Sequence, residues 1–488
     1  MNVSNGTVSP SDMPTAGSSR ASGSPKLSGI KPYIKTPEGR YKFLFEKSCP
    51  YGIPHANAKA ATQVTIANLK EKSPPPPSSL YKSLSARSVA ARFLGSNNEA
   101  IHSRSESLSD ASLTSNSTSN SHGSGTYLIF NFADAIFISD LHSQDKEPYK
   151  SIYLGCSSVI CHSFDDNSRE GHDLLIGTHT GEVLSLSLRQ LVREPGKRVT
   201  GANQYNKDGY VNNSRCTSVA WVPKGDGVFL AAHADGNLYV YDKNKESAAD
   251  VNFPISKDPN QFSVSHVRNI KSNPIARWHI CEGSINSIAF SSNGNYLATV
   301  GRDGYLRIFH YKNEQLECGG KSYYGALLCC AWSDDGKYII IGGEDDLVQV
   351  WSMGEKRIVA WGEGHNSWVR GVSFDSHWPA GGNGNVAYRF GSVGEDTQLL
   401  LWDMESDEMD ETANGENDGM LRPALSMRDV PKLSPVVAHR VHCDALSAVV
   451  FTPQCLITAC RDGRVKAWAR PDKDPAQLGI FRLQKITI

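Results

Sequence analysis

His365, Ser392 and Asp396 are the residue types of a hydrolytic triad: a base, a hydroxyl nucleophile and an orienting carboxylate. A second set follows, His442, Thr458 and Asp462, and in both sets a tryptophan stands six positions after the Asp, Trp402 and Trp468. Such groups could attack a carbonyl. Because the constellation recurs along the chain, however, its members read better as buried groups that satisfy one another, as polar networks in a low-dielectric interior require. The expectation is a repeated structural clamp, not a nucleophile.

The elements that must position these residues carry the same spacing. Asp235, Asp303, Asp345, Asp396 and Asp462 each stand six positions before a strand-ending aromatic, namely Tyr241, Phe309, Trp351, Trp402 and Trp468. The aromatics close the short runs LYVY, LRIF, VQVW, LLLW and VKAW, and upstream of each lies another β-rich run: SVAW, SIAF, CCAW, GVSF and AVVF. This is the WD40 pattern, in which each repeat is one four-stranded propeller blade. In a complete blade the Asp, in the turn between the second and third strands, bonds a His that precedes the first strand. That His meets a Ser or Thr of the second strand, which meets the Trp of the third. Two blades depart from this pattern. The one ending at Trp351 has Ile341 in place of the Ser or Thr and Tyr323 near the expected His; the one ending at Phe309 lacks the Trp, and its His279 sits two residues early.

The fold class expected is therefore all-β, a WD40 propeller of seven blades across 126–488, whose 363 residues exceed the roughly 300 that seven repeats need and so leave room for long loops. Five blades are plain. The other two fall before 214, in the runs 126–155 and 172–188, the second a degenerate blade with Thr180 in the Asp position. Ring closure needs an outer strand for the last blade, and either RYKFLFE within 35–53 or QLGIFRLQKITI at 477–488 could supply it. Residues 1–34 read as a disordered tail, and 54–125, with PPPP and a Ser/Asn tract, as a disordered insert. Ser105, Ser107 and Ser109 in that tract are open to phosphorylation, and the acidic stretch that begins the loop 403–435 reads as solvated, with docking of a basic partner as the alternative.

Composition excludes several classes. A net charge of −1 and a pI near 6.9 give no field for nucleic acid or an anionic membrane. The sequence has no apolar run long enough to span a bilayer and no apolar leader, so an intracellular protein, cytoplasmic or nuclear, is expected. Eleven cysteines without a C-x-x-C motif read as reduced thiols, not metal ligands, and no cofactor is expected. No Gly-rich phosphate loop or nucleophile elbow is present, which favours a binding platform over an enzyme.

A propeller binds through its loops. On the face that carries the clamps, the turns before each Asp should present Arg302, Glu344, Glu395 and Arg461, and the loops leading into the first strands should present Tyr323, Tyr324, Asn366 and Trp368. Aromatic residues on such a rim are the types that dominate protein interfaces.

The segments KSYYGALLCCAWSDDGKYIIIGGEDDLVQVWSM at 321–353, HNSWVRGVSFD at 365–375, TSVAWVPKGDGVFLAAHADGNLYVYD at 217–242 and the upstream EGRYKFLF resemble the family of WD repeat-containing protein 20 and the fungal catabolite repression protein CreC. The resemblance implies a non-catalytic partner that binds a ubiquitin-specific protease and raises its activity, often beside a second WD-repeat protein. It also implies that the aromatic of K-S-Y-aromatic-G and the Trp of H-x-S-W-V face the protease; here these are Tyr324, where Phe is common, and Trp368. The competing expectation is an adaptor, such as a ubiquitin-ligase substrate receptor, that uses the same face.

Overall fold

The computed structural model describes residues 30–50, 61–70 and 125–471, apart from breaks at 144, 156, 169–170, 248–252, 255–257, 259–260, 270, 379–386 and 406–418. The Ser-rich tract with Ser105, Ser107 and Ser109, the acidic stretch at 406–418, most of the N-terminal tail and the run 477–488 lie outside the described residues.

Seven antiparallel sheets form blades one to seven in chain order. Their innermost strands are Val64–Leu69, Val159–Phe164, Cys216–Trp221, Ile285–Phe290, Leu327–Trp332, Val369–Phe374 and Leu446–Phe451. Each packs against the next, and the last meets the first, so the ring is closed. Every blade buries both of its faces against neighbours, which is why the third strands read as apolar runs with little alternation: Leu399, Leu400, Leu401 and Trp402 are all fully buried. One inter-blade core joins Ile340 and Val350 of blade five to Phe390, Leu400 and Trp402 of blade six. Gly362, in blade five's outer strand Arg357–Glu363, lies flat against the Trp402 ring, where a Cβ would stand 2.5 Å from Cζ3.

The last blade is closed by the N-terminal candidate. Strand Gly39–Ser48 pairs antiparallel with Arg464–Ala469, with Phe43 opposite Trp468, and Tyr33–Thr36 adds a fifth strand outside it.

Two segments differ from the sequence reading. Val64–Leu69 falls inside the stretch assigned to the polar insert, yet it is blade one's innermost strand, paired with Gly125–Phe132. Its Ala67 and Leu69 are buried in the blade-one core. The second half of the loop 403–435 carries two short strands. Leu421–Arg422 adds to the outer edge of blade four and Lys432–Leu433 to that of blade five, both parallel, before the chain returns to blade six's outer strand, Val437–Arg440. Burial drives this path: Val430 is 4% exposed, and the Trp361 indole N–H reaches the carbonyls of Met427 at 3.2 Å and Val430 at 3.1 Å. No helix among the described residues is long and apolar enough to cross a membrane.

Candidate functional site

Blade six holds the complete clamp. His365 Nδ1 donates to Asp396 at 3.0 Å, its Nε2 meets Ser392 Oγ at 2.8 Å, and the Trp402 indole N–H donates to the same Oγ at 2.8 Å. Burial alone would raise the Asp396 pKa. The His365 bond and the backbone N–H groups of Asn366 and Gln398 outweigh it and hold the carboxylate below its usual range. Ser392 is fully buried, and its Oγ is occupied from both sides, so the triad-like set ties the strands of the blade together. In blade seven, His442 Nε2 meets Thr458 Oγ1 at 2.9 Å and Trp468 N–H donates to that oxygen at 3.3 Å, while Asp462 pairs with Arg464 at 3.4 Å. Burial, reinforced by Lys466, pushes the His442 pKa down to about 3, so this ring is neutral.

The incomplete blades follow one rule. The residue four positions before each innermost strand occupies the clamp slot: Asn212, Cys281, Tyr323, His365 and His442 in blades three to seven. Asn212 reaches Asp235 Oδ2 at 3.0 Å, as the imidazole does in blade six. In blade four Cys281 fills the slot, and Asp303 pairs instead with Arg307 at 2.6 Å; His279, two positions early, serves blade three by meeting Asn237 at 3.0 Å. In blade two Thr180 meets Thr178 at 2.9 Å and Ser157 at 3.3 Å, a clamp made of hydroxyls.

Blade five departs furthest. With Ile341 in place of a Ser or Thr, the Trp351 indole nitrogen is buried without a hydrogen-bond partner, and so is the hydroxyl of Tyr323. Asp345 is held by the N–H of Leu347, the amide of Gln349 and the backbone N–H of Tyr324, but burial dominates and pushes its pKa up to about 6. The next turn residue also differs. Where blades three, four and seven use Gly236, Gly304 and Gly463 at positive φ, blades five and six place Asp346 (φ 62°) and the β-branched Thr397 (φ 68°). A β-branched residue there is strained.

The rim residues named from sequence divide into three groups. Tyr324 is 69% exposed and Trp368 40% exposed, on loops that lead into the innermost strands of adjacent blades. Asn366 and Arg302 are exposed as well. Tyr323 is turned into the fold: it is half-buried, edge-on to the Trp361 ring at 6.5 Å. Glu344 and Glu395 are partly buried and engaged within the molecule, Glu344 accepting from the Ala326 N–H at 3.2 Å. The sequence reading missed Arg370, which packs against the Trp368 ring, its Cζ 5.3 Å from the centroid, and binds Glu395. The register shift between Val369 and Gly371 makes Arg370 a bulged residue, and bulges re-aim side chains. An Arg in the otherwise apolar run VRGVSF was the available signal. Among the described residues no group of three or more His, Cys, Asp or Glu could hold a metal ion.

Seven blades with recurring clamps define a WD40-repeat β-propeller protein. The family model for the WD domain, G-beta repeat, matches residues 272–310 and 319–352. Among known proteins the chain is similar to the UBP9-binding protein bun62 of Schizosaccharomyces pombe, 31% identical over 368 residues, covering 64% of this chain and 65% of that relative, just under two thirds of its length. Among solved structures it is similar to a chain in a crystal structure of the mitotic checkpoint complex, with a TM-score of 0.47 and 13% identity over 71% of this chain and 84% of that one.

Proposed function

We propose that this chain is a non-catalytic scaffold that binds a ubiquitin-specific protease on its clamp face and raises the activity of that protease. The observation that carries the reading is the pair of exposed aromatics, Tyr324 and Trp368, on same-face loops of neighbouring blades. Exposed large aromatics held by rigid loops are typical interface anchors. The similarity to a UBP9-binding protein supports the class of partner. Activation would come from binding the active arrangement of the protease more tightly than the inactive one, a coupling of about 1 to 3 kcal/mol if typical. A second WD-repeat protein can complete the assembly from another surface. Buried free thiols such as Cys329 and Cys455 support an intracellular setting.

The test is the hydrolysis of a ubiquitin reporter by candidate ubiquitin-specific proteases, with and without this protein. The expected result is a rate increase that the Tyr324→Ala/Trp368→Ala double variant fails to give, while its thermal midpoint stays unchanged. Full activation by the double variant refutes the site. If no candidate protease binds, and a ubiquitin-ligase adaptor is captured on the same face, the role as a substrate receptor replaces this one.

A further inference from the structure

Glu395 stands on the rim just before the blade-six Asp, where a partner contact is the obvious role. Its bonds point inward. A single oxygen, Oε1, accepts from Arg370 Nε at 2.8 Å and Nη2 at 2.7 Å, and from Arg461 Nη2 at 2.8 Å. The Glu395 backbone N–H donates to the Trp368 carbonyl at 3.0 Å. Arg370 lies against the indole of Trp368, and Arg461 belongs to the turn of the next blade. The carboxylate thus joins three elements: the strand start that carries Arg370, the loop that carries Trp368, and blade seven.

We propose that Glu395 is a positioning residue, which pins Arg370 beneath the Trp368 ring and anchors that pair to blade seven through Arg461, so that the indole is presented in one orientation. This rests on the reading of Trp368 as a partner contact and deepens it. An exposed tryptophan free to rotate would lose side-chain entropy on binding, whereas a ring already stacked on a tethered guanidinium has lost most of it beforehand. A fork held by two N–H groups fixes the guanidinium plane in a way that a lysine would not. Arg461, the most exposed of the three charges, is the outer stay of this brace.

The experiment uses the full chain in two measurements. First, acrylamide quenching of Trp368 fluorescence is isolated by subtracting the signal of a Trp368→Phe variant, with and without Glu395→Gln; acrylamide is neutral, so the lost charge does not alter its local concentration. Freeing the ring is expected to raise the Trp368 quenching constant by roughly two-fold. Arg461→Ala, which keeps Glu395 and Arg370, is expected to give a smaller rise. Second, affinity for the activated protease is expected to fall about five-fold in Glu395→Gln, the scale of a partly exposed charged pair. Unchanged quenching in both variants overturns the proposal, even if affinity falls, because Glu395 would then act as a direct contact. Increased quenching with unchanged affinity upholds the brace and refutes Trp368 as the contact, so the two readings fail separately.

Discussion

Replacing Ser392 with Ala removes one oxygen and leaves two buried polar atoms without partners. His365 Nε2, in a side chain that is 0% exposed, loses its hydroxyl donor, and the fully buried Trp402 N–H loses its acceptor. Leaving a buried group unsatisfied costs about 1 to 3 kcal/mol each. The missing oxygen opens too little space for water, so the penalty is not relieved by hydration. The expected loss is about 3 kcal/mol, a sizeable part of a typical stability of about 5 to 15 kcal/mol. Blade five shows that the fold survives one such orphan, because Trp351 N–H already has no partner opposite Ile341.

Equilibrium urea unfolding measures the effect as a drop in midpoint at unchanged slope. A cycle with Trp402→Phe sharpens it. In the Ser392→Ala background the indole N–H is already orphaned, so converting Trp402 to Phe should cost about 1 kcal/mol less than in the wild type. A Ser392→Ala loss below about 1 kcal/mol, or strict additivity in the cycle, refutes the view that the triad-like set is a stabilising clamp.

Thr397 occupies a φ of 68°, where blades three, four and seven place Gly, so Thr397→Gly should stabilise the propeller by about 1 kcal/mol in the same assay; a loss of stability would show that Thr397 makes a compensating contact. Asp345 gives a pH prediction. Burial raises its folded pKa to about 6 from the ordinary carboxyl value of 3.8, so the ionised carboxyl opposes folding: the penalty is absent below about pH 4, grows as pH rises, and is complete above about pH 6, on the order of 2 kcal/mol. The stability gain from Asp345→Asn should therefore appear between pH 4 and 6 and stay level above, and a gain independent of pH would refute the assignment.

Much of the fold was legible because a propeller repeats its chemistry. The six-residue step from Asp to aromatic located five blades, and RYKFLFE held enough apolar surface to stand as one of two candidate closing strands, of which the pairing with Arg464–Ala469 selects it. What escaped depended on pairing between distant residues. VTIANL is six residues long, too short for periodicity to separate strand from connector, and its partner strand begins at Gly125, on the far side of the insert. The strap after 419 makes two-residue parallel pairings that leave no period at all; it is placed by the burial of Val430 and the bonds of Trp361. Tyr323 and Tyr324 could not be told apart by type. Counting four positions back from Leu327 puts Tyr323 in the slot of His365 and Tyr324 in that of Asn366, and the slot points inward.

That count also explains why the aromatic patch is local to two blades. The clamp fixes the backbone just beyond the slot: Asp396 holds the N–H of Asn366, and Asp345 that of Tyr324. In blades three to seven the side chain one position after the slot is exposed, and blades three, four and seven place Asn213, Glu282 and Cys443 there. Just before the innermost strand, where blade six has Trp368, blades three, four, five and seven have Arg215, Ser284, Ala326 and Ala445. The scaffold is repeated while the displayed residues are not: at these two positions blades three to seven carry aromatics at Tyr324 and Trp368, on blades five and six. The same two blades replace the usual turn glycine with Asp346 and Thr397, which hold positive φ at a cost in backbone strain.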